Sequence, residues 1–439
     1  MSNFLRTVFI LLLLCVLITP VSAQQYPYRE ENPPDSMSTY VLLTDIDNGQ
    51  VLISENGEER MYPASLTKVL SALVSADALQ DPDETVLITP EMWAGLLEAD
   101  ASVAGFQPGE TPTVTDLLYG LLLPSGADAA NALAFRVSGS VPAFVEAMNA
   151  KAAEIGMTGS HFTNPTGLHD PDHYSTPADL ALLMNRALQN ELLRNILNTR
   201  SYTATTGLAM TSTSWPLINN GEGTVEIPGF LGGKTGFTNP AGRCLLSHAE
   251  FNGMHLVLVT GGATGTGHIE DAGVIYRWAE ESYTRTTAAS ASSLLAEREI
   301  LDAEKKTILS VSVPEDVVMD LPKTAVIEVS CDIPEELTAP IQEGDVIGFM
   351  QITADGQLIY ESDLYSGITA RYSSFAHARR MVRMFRTNHP VLFWTIIGTV
   401  IVIILFCIRI AQVQHRRKLR RKRRRRKQQR AAMQKRSAR

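Results

Sequence analysis

The sequence predicts an α+β domain built from an antiparallel sheet and a helical cluster, then a small all-β domain and one C-terminal transmembrane helix. Three observations carry that prediction. Strand-like runs lie on both sides of a central block with helical periodicity, so one sheet draws on both ends of the first domain. Beyond Leu295 the chain turns to short β-like runs punctuated by Pro and Gly-Asp. Near the end, Val391–Ile408 holds eighteen residues without a charge, enough to cross a bilayer.

Taken in order, residues 1–23 have the pattern of a secretory signal peptide, with Arg6, an apolar Val8–Ile18 and a small-residue Val21-Ser22-Ala23. A Pro-rich lead, 24–38, precedes the first domain at 39–287. There Tyr40–Thr44 and Gln50–Ile53 flank Asn48-Gly49, a hairpin signal. Leu66, Val69, Leu70, Leu73 and Val74 then recur at helical spacing, which places Ser65 in a first helical turn. Thr113 and Asp116 form a capping box for a helix ending at Pro124-Ser125-Gly126. Further helices are expected over Asp128–Arg136, Pro142–Ile155 and from Thr176-Pro177-Ala-Asp179 onward. Cys244–Ala249 and His255–Thr260, joined by Asn252-Gly253, read as strands, and His268–Tyr283 as a closing helix.

An Ala/Ser-rich boundary gives a linker at 288–304 and a small β domain at 305–370, with strands expected at Ile308–Val313, Ala325–Val329, Val346–Ile352 and Leu358–Tyr360. A basic juxtamembrane stretch (371–389), the span (390–411) and a basic tail (412–439) complete the chain.

Charge is distributed unevenly. Of the 38 Lys+Arg, 21 fall from Arg371 onward, while all 47 acids precede Ser366; the body therefore carries 17 bases against 47 acids, a net of −30. Arg416–Lys427 has eleven bases in twelve positions. Directly behind a span, such a run is expected to be a cytoplasmic anchor touching anionic lipid rather than a nucleic-acid-binding tail, which puts the body outside the cell. Cys244 and Cys331, the cysteines of the exported body, are expected to be small buried apolar groups.

Residues at i and i+3 share a helix face, so Ser65 and Lys68 stand together near a helix N-terminus. A positive helix end and burial both favour a neutral lysine, which is a base. Lys234-Thr235-Gly236 offers a point charge for a carboxylate, with glycines on each side permitting close approach of a ligand. In order, Ser65-x-x-Lys68, Ser125-Gly126 and Lys234-Thr235-Gly236 form the three-part signature of serine penicillin-recognising enzymes.

On Pro63-Ala-Ser-Leu-Thr-Lys68, Leu122-Leu-Pro-Ser-Gly126, Phe162-Thr-Asn-Pro-Thr-Gly-Leu168, Tyr174-Ser-Thr176 and Gly232-Gly-Lys-Thr-Gly-Phe237, the chain resembles the D-alanyl-D-alanine carboxypeptidases, the low-molecular-weight penicillin-binding proteins. The resemblance runs from about Tyr40 to Tyr283 and more weakly through the β domain, where Gly344-Asp-Val-Ile-Gly348 is similar to the family's C-terminal module. It implies a β-lactamase/transpeptidase-like catalytic domain that removes the terminal D-alanine from peptidoglycan pentapeptides and is acylated by β-lactams.

Ser65 would then be the nucleophile, Lys68 its base and Ser125 the proton relay. Lys234, Thr235, Gly236 and Phe237 would bind substrate, with Lys234 and Thr235 holding its carboxylate. The backbone N–H groups of Ser65 and Phe237 would form the oxyanion hole. No metal or cofactor is expected; His161, His169, Asp170, Asp172 and His173 have irregular spacing. One departure stands out: the family's middle motif is Ser-x-Asn, and this chain has Ser125-Gly126-Ala127, with Asn131 the nearest amide downstream. That departure motivates a second reading, a catalytically weakened wall-binding scaffold. A β-lactamase, the third, would need a deacylating glutamate among Glu146, Glu154, Glu191, Glu222 and Glu226.

Overall fold

The computed structural model describes residues 23–437 except 27, 29–32, 215–224, 292 and 314. Apart from Ala23, the expected signal peptide lies outside the described residues, as does Glu222. The chain forms two compact units: residues 1–293, 313–331 and 349–363 make the first, and residues 294–312, 332–348 and 364–439 the second.

In the first unit, a short strand β1 (Gln24–Gln25) pairs with residues 360–361 far along the chain. The central sheet is antiparallel, in the order β3-β2-β8-β7-β6, from β2 (Tyr40–Asp45), β3 (Val51–Glu55), β6 (Phe230–Thr238), β7 (Gly242–Phe251) and β8 (Met254–Ala263). The small hairpin of β4 (Ser201–Thr203) and β5 (Ala209–Thr211) lies apart from that sheet. Its two chain ends meet where β2 pairs with β8, as the flanking strand-like runs predict.

Two-residue periodicity gives β7 two apolar faces. Cys244 and Leu246 enter the core shared with the helical cluster, while Leu245 and Ala249 enter a second core under the closing helix. The cluster comprises α1 (Thr67–Ala78), α2 (Val114–Leu122), α3 (Ala127–Ser138), α4 (Val141–Glu154), α5 (Pro177–Gln189) and α6 (Glu191–Leu197). Thr113 and Asp116 do form a capping box on α2, and Thr176 caps α5. The closing helix is α7 (Gly267–Ser282). At Asn252-Gly253 both residues take positive φ, 51° and 77°, the signature of a tight type I′ hairpin.

The chain then continues as β9 (Tyr283–Ala289), β10 (Leu294–Leu301), β11 (Thr307–Ser312), β12 (Val317–Pro322), β13 (Ile327–Asp332), β14 (Leu337–Thr338), β15 (Val346–Ala354) and β16 (Gln357–Tyr365). The stretch read as a linker thus holds part of β9 and all of β10. Its small residues pair with partners they cannot advertise in sequence: β9 with β12, and β10 with β11. Cys244 is fully buried, but Cys331 is only half-buried, because β13 leaves most of its residues exposed; the expectation of a buried Cys331 is corrected.

In the second unit, α8 (Ser374–Asn388) is held by Asp302, which accepts from Arg380 Nε at 3.0 Å and Nη2 at 2.8 Å and pairs with His377 Nδ1 at 2.7 Å. Beyond it, α9 (Pro390–Ser437) contains the apolar segment long enough to cross a membrane.

Candidate active site

Ser65 lies in a 3-10 turn, Ala64–Leu66, that leads into α1; the sequence expectation of a first helical turn is met one half-turn early. Ala64 takes a positive φ of 48°, so the chain bends sharply just before the serine. One turn on, Lys68 Nζ donates to Ser65 Oγ at 3.0 Å and to the Thr166 carbonyl at 2.5 Å. Lys68 is 2% exposed. Burial pulls its amine down to about 7, against a smaller upward pull from the Asp128 carboxylate.

Thr166 is aimed by a turn within the Phe162–Leu168 motif. Asn164 Oδ1 accepts from the Thr166, Gly167 and Leu168 backbone N–H groups and from the Thr166 hydroxyl. Gly167 has φ of 79°, and a Cβ there would fall 1.9 Å from the Ala64 carbonyl oxygen, so only glycine lets this turn close on the serine loop. His173 braces the same region. Its Nδ1 accepts from Thr163 N at 3.1 Å, which leaves Nε2–H for Thr67 Oγ1 at 2.8 Å, and burial lowers its pKa to about 4.

Lys234 comes from β6. It is fully buried, donates to the Thr235 carbonyl at 2.7 Å, and is held well below the ordinary lysine range by burial first and then by the charge of Lys68. The Thr235 and Thr213 hydroxyls share a hydrogen bond of 2.6 Å. Gly236 abuts the serine itself: a Cβ there would lie 3.1 Å from Ser65 N. The neighbouring glycines lie close against protein, Gly232 on the Leu197 carbonyl and Gly233 on that of Leu246. Phe237 turns its half-exposed ring under the Arg243 guanidinium, 4.9 Å from the ring centroid.

Ser125 sits between α2 and α3 with φ of 67°, and its buried Oγ has no hydrogen-bond partner among the described residues. Ala127 is buried at the start of α3, its N–H spent on the Ser102 carbonyl at 2.8 Å. Asn131 does not replace the missing amide, because its side-chain N–H donates to the Met92 carbonyl at 3.0 Å. Asp128, without a role in the sequence reading, accepts from the backbone N–H groups of Ala104, Gly105 and Phe106 at 2.7–3.0 Å and fixes that loop against the Ser125 turn. Glu146, Glu154 and Glu191 lie exposed on or beside helices, and neither they nor Glu226 hydrogen-bonds to Ser65 or Lys68.

This arrangement joins a serine, a neutral-leaning lysine and a second buried lysine on an edge strand. The family model for D-alanyl-D-alanine carboxypeptidase matches residues 28–265, more than half of the chain. The chain belongs to that family. It is a serine-type carboxypeptidase hydrolase with the transpeptidase-like fold of the low-molecular-weight penicillin-binding proteins.

A second model, for the C-terminal domain of penicillin-binding protein 5, matches residues 283–369 of the carboxypeptidase. The D-alanyl-D-alanine carboxypeptidase DacF of Bacillus subtilis is 29% identical over 371 residues, covering 82% of this chain and 93% of its own. DacB2 of Mycobacterium tuberculosis is 36% identical over 229 residues, 51% of this chain and 75% of its own. Among solved structures, penicillin-binding protein 5 from Haemophilus influenzae superposes with a TM-score of 0.64 at 26% identity, over 78% of this chain and all of its own.

Proposed function

We propose that this carboxypeptidase removes the terminal D-alanine of peptidoglycan stem peptides through an acyl-enzyme on Ser65. The observation that carries the reading is the 3.0 Å contact between Ser65 Oγ and a Lys68 amine whose pKa is depressed to about 7. That depression favours an unprotonated amine, one able to take the serine proton as Oγ attacks the carbonyl between two D-alanines.

Lys234 and Thr235 hold the terminal carboxylate. Ser65 N–H and Phe237 N–H stabilise the oxyanion, a contribution of about 3 kcal/mol per donor, a reading supported by the close approach of Gly236 to Ser65 N. Ser125 passes a proton to the leaving amine, after which water hydrolyses the ester. A β-lactam acylates the same serine. Membrane attachment runs through α9, with the body outside the cytoplasm and the basic tail inside against anionic lipid.

A second reading, a weakened wall-binding scaffold, draws on one observation: neither Ala127 nor Asn131 offers the cleft a side-chain amide. The test is acylation of the full chain by a labelled penicillin followed by peptide mass spectrometry. Label on Ser65, absent from Ser65→Ala, is expected; label elsewhere, or none, overturns the proposal.

A further inference from the structure

A cavity of about 640 Å³ opens beside the serine loop but does not contain Ser65. Its walls come from Arg60-Met61-Tyr62, which leads into the serine turn, from Asp172 and Tyr174, and from the β6–β7 turn at Asn239. The Arg60 guanidinium lies over the Tyr174 ring, 4.0 Å from its centroid, and so presents a charge while its face is already packed. Neither it nor the Asp172 carboxylate forms an ion pair among the described residues, although both line the one cavity.

The direction of the substrate places this cavity on the acyl side, an argument that rests on the function proposed above. With the terminal carboxylate at Lys234 and Thr235 and the scissile carbonyl at Phe237 N–H, the leaving D-alanine lies toward the start of β6. The rest of the peptide runs the other way, past Thr238 to Asn239. At about 3.3 Å per residue, Asn239 is on the order of 10 Å beyond Gly236. One residue of extended peptide and a four-carbon side chain span a similar distance.

We propose that this cavity is the subsite for the third residue of the stem peptide, and that Arg60 and Asp172 select a side chain ending in both a carboxylate and an ammonium. Arg60 takes the carboxylate and Asp172 the ammonium, each through a charge-assisted hydrogen bond. A lysine at the same position offers only the ammonium and leaves Arg60 unpaired.

Two pentapeptides that differ only in 2,6-diaminopimelate or lysine at position three provide the test, with the full chain in detergent. Binding is measured on Ser65→Ala, which reads the subsite whether or not turnover occurs, and D-alanine release on the chain with Ser65 intact. The diaminopimelate peptide is expected to bind about tenfold or more tightly, and the preference to fall to about twofold in Ser65→Ala/Arg60→Gln. Asp172→Asn in the same background should weaken binding of both peptides. The thermal midpoint of the single variant Arg60→Gln is expected to match that of the unchanged chain, which shows that the fold is intact. Equal binding of the two peptides overturns the subsite. A preference that survives Arg60→Gln also overturns it. Clear preference in binding with no D-alanine release from either peptide would support the subsite and overturn the proposed removal of the terminal D-alanine instead.

Discussion

Lys68 has to be buried enough to lose its proton near neutrality and still reach Ser65. The base role proposed for it predicts that acylation by a labelled penicillin rises with pH about a midpoint near 7; a midpoint near the ordinary lysine value of 10.5 would contradict it. Lys68→Ala should slow acylation roughly 10²- to 10⁴-fold. The same depression makes a stability statement. Between about 7 and 10.5 the unfolded chain holds a proton that the folded chain lacks, so this site's contribution to stability rises with pH across that window. Gly167→Ala, with a Cβ 1.9 Å from the Ala64 oxygen and φ of 79°, should cost more than about 2 kcal/mol and lower the thermal midpoint. Ser65, Lys68, Ser125 and Lys234 could be singled out as candidates because side chains carry their chemistry in the sequence. Thr166 could not be, since it acts through a carbonyl, and a backbone acceptor leaves no letter of its own. Asp128 escaped for a related reason: its partners are three backbone N–H groups of a loop more than twenty residues away.

The hairpin at Asn252-Gly253 was readable at the level of the element because only a few residue types accept two positive φ angles in succession, 51° and 77° here; at Asn48-Gly49 the glycine alone takes a positive φ, 75°. By contrast, β9, β10 and β12 drew no such signal, and what orders β9 and β12 includes a charged cluster assembled from distant parts of the chain. Arg285 on β9 donates to Asp320 at 3.1 Å and to Asp47 at 2.7 Å and also pairs with Asp45. Asp45 and Asp320 are both 0% exposed. Removing the cation leaves two buried carboxylates without their counter-charge, so Arg285→Ala should destabilise the unit by about 3–5 kcal/mol, read as a fall in the thermal midpoint. Loss of under about 1 kcal/mol would show that solvent already screens the cluster.

For the whole molecule, the informative feature is the separation of an acidic body from a basic end with an apolar helix between them. The average charge of −9 hides it, and only a count along the chain reveals it. The exposed apolar residues of Pro390–Lys422 have no protein surface to cover them among the described residues, which fits a lipid environment. The full chain is expected in the membrane fraction and resistant to high-salt extraction. Ending the chain at His389 should make it extractable, although Phe375, Val382 and Phe385 on α8 leave some affinity for the interface. A full-length chain released by salt alone would contradict a membrane-spanning α9.

The proposed reaction turns on one bond and one nucleophile. Full-length protein is incubated with a peptidoglycan pentapeptide and the products are weighed by mass spectrometry, alongside Ser65→Ala. The prediction is loss of a single D-alanine with the intact serine and none with the variant; an unchanged pentapeptide, or D-alanine released equally by Ser65→Ala, would contradict it.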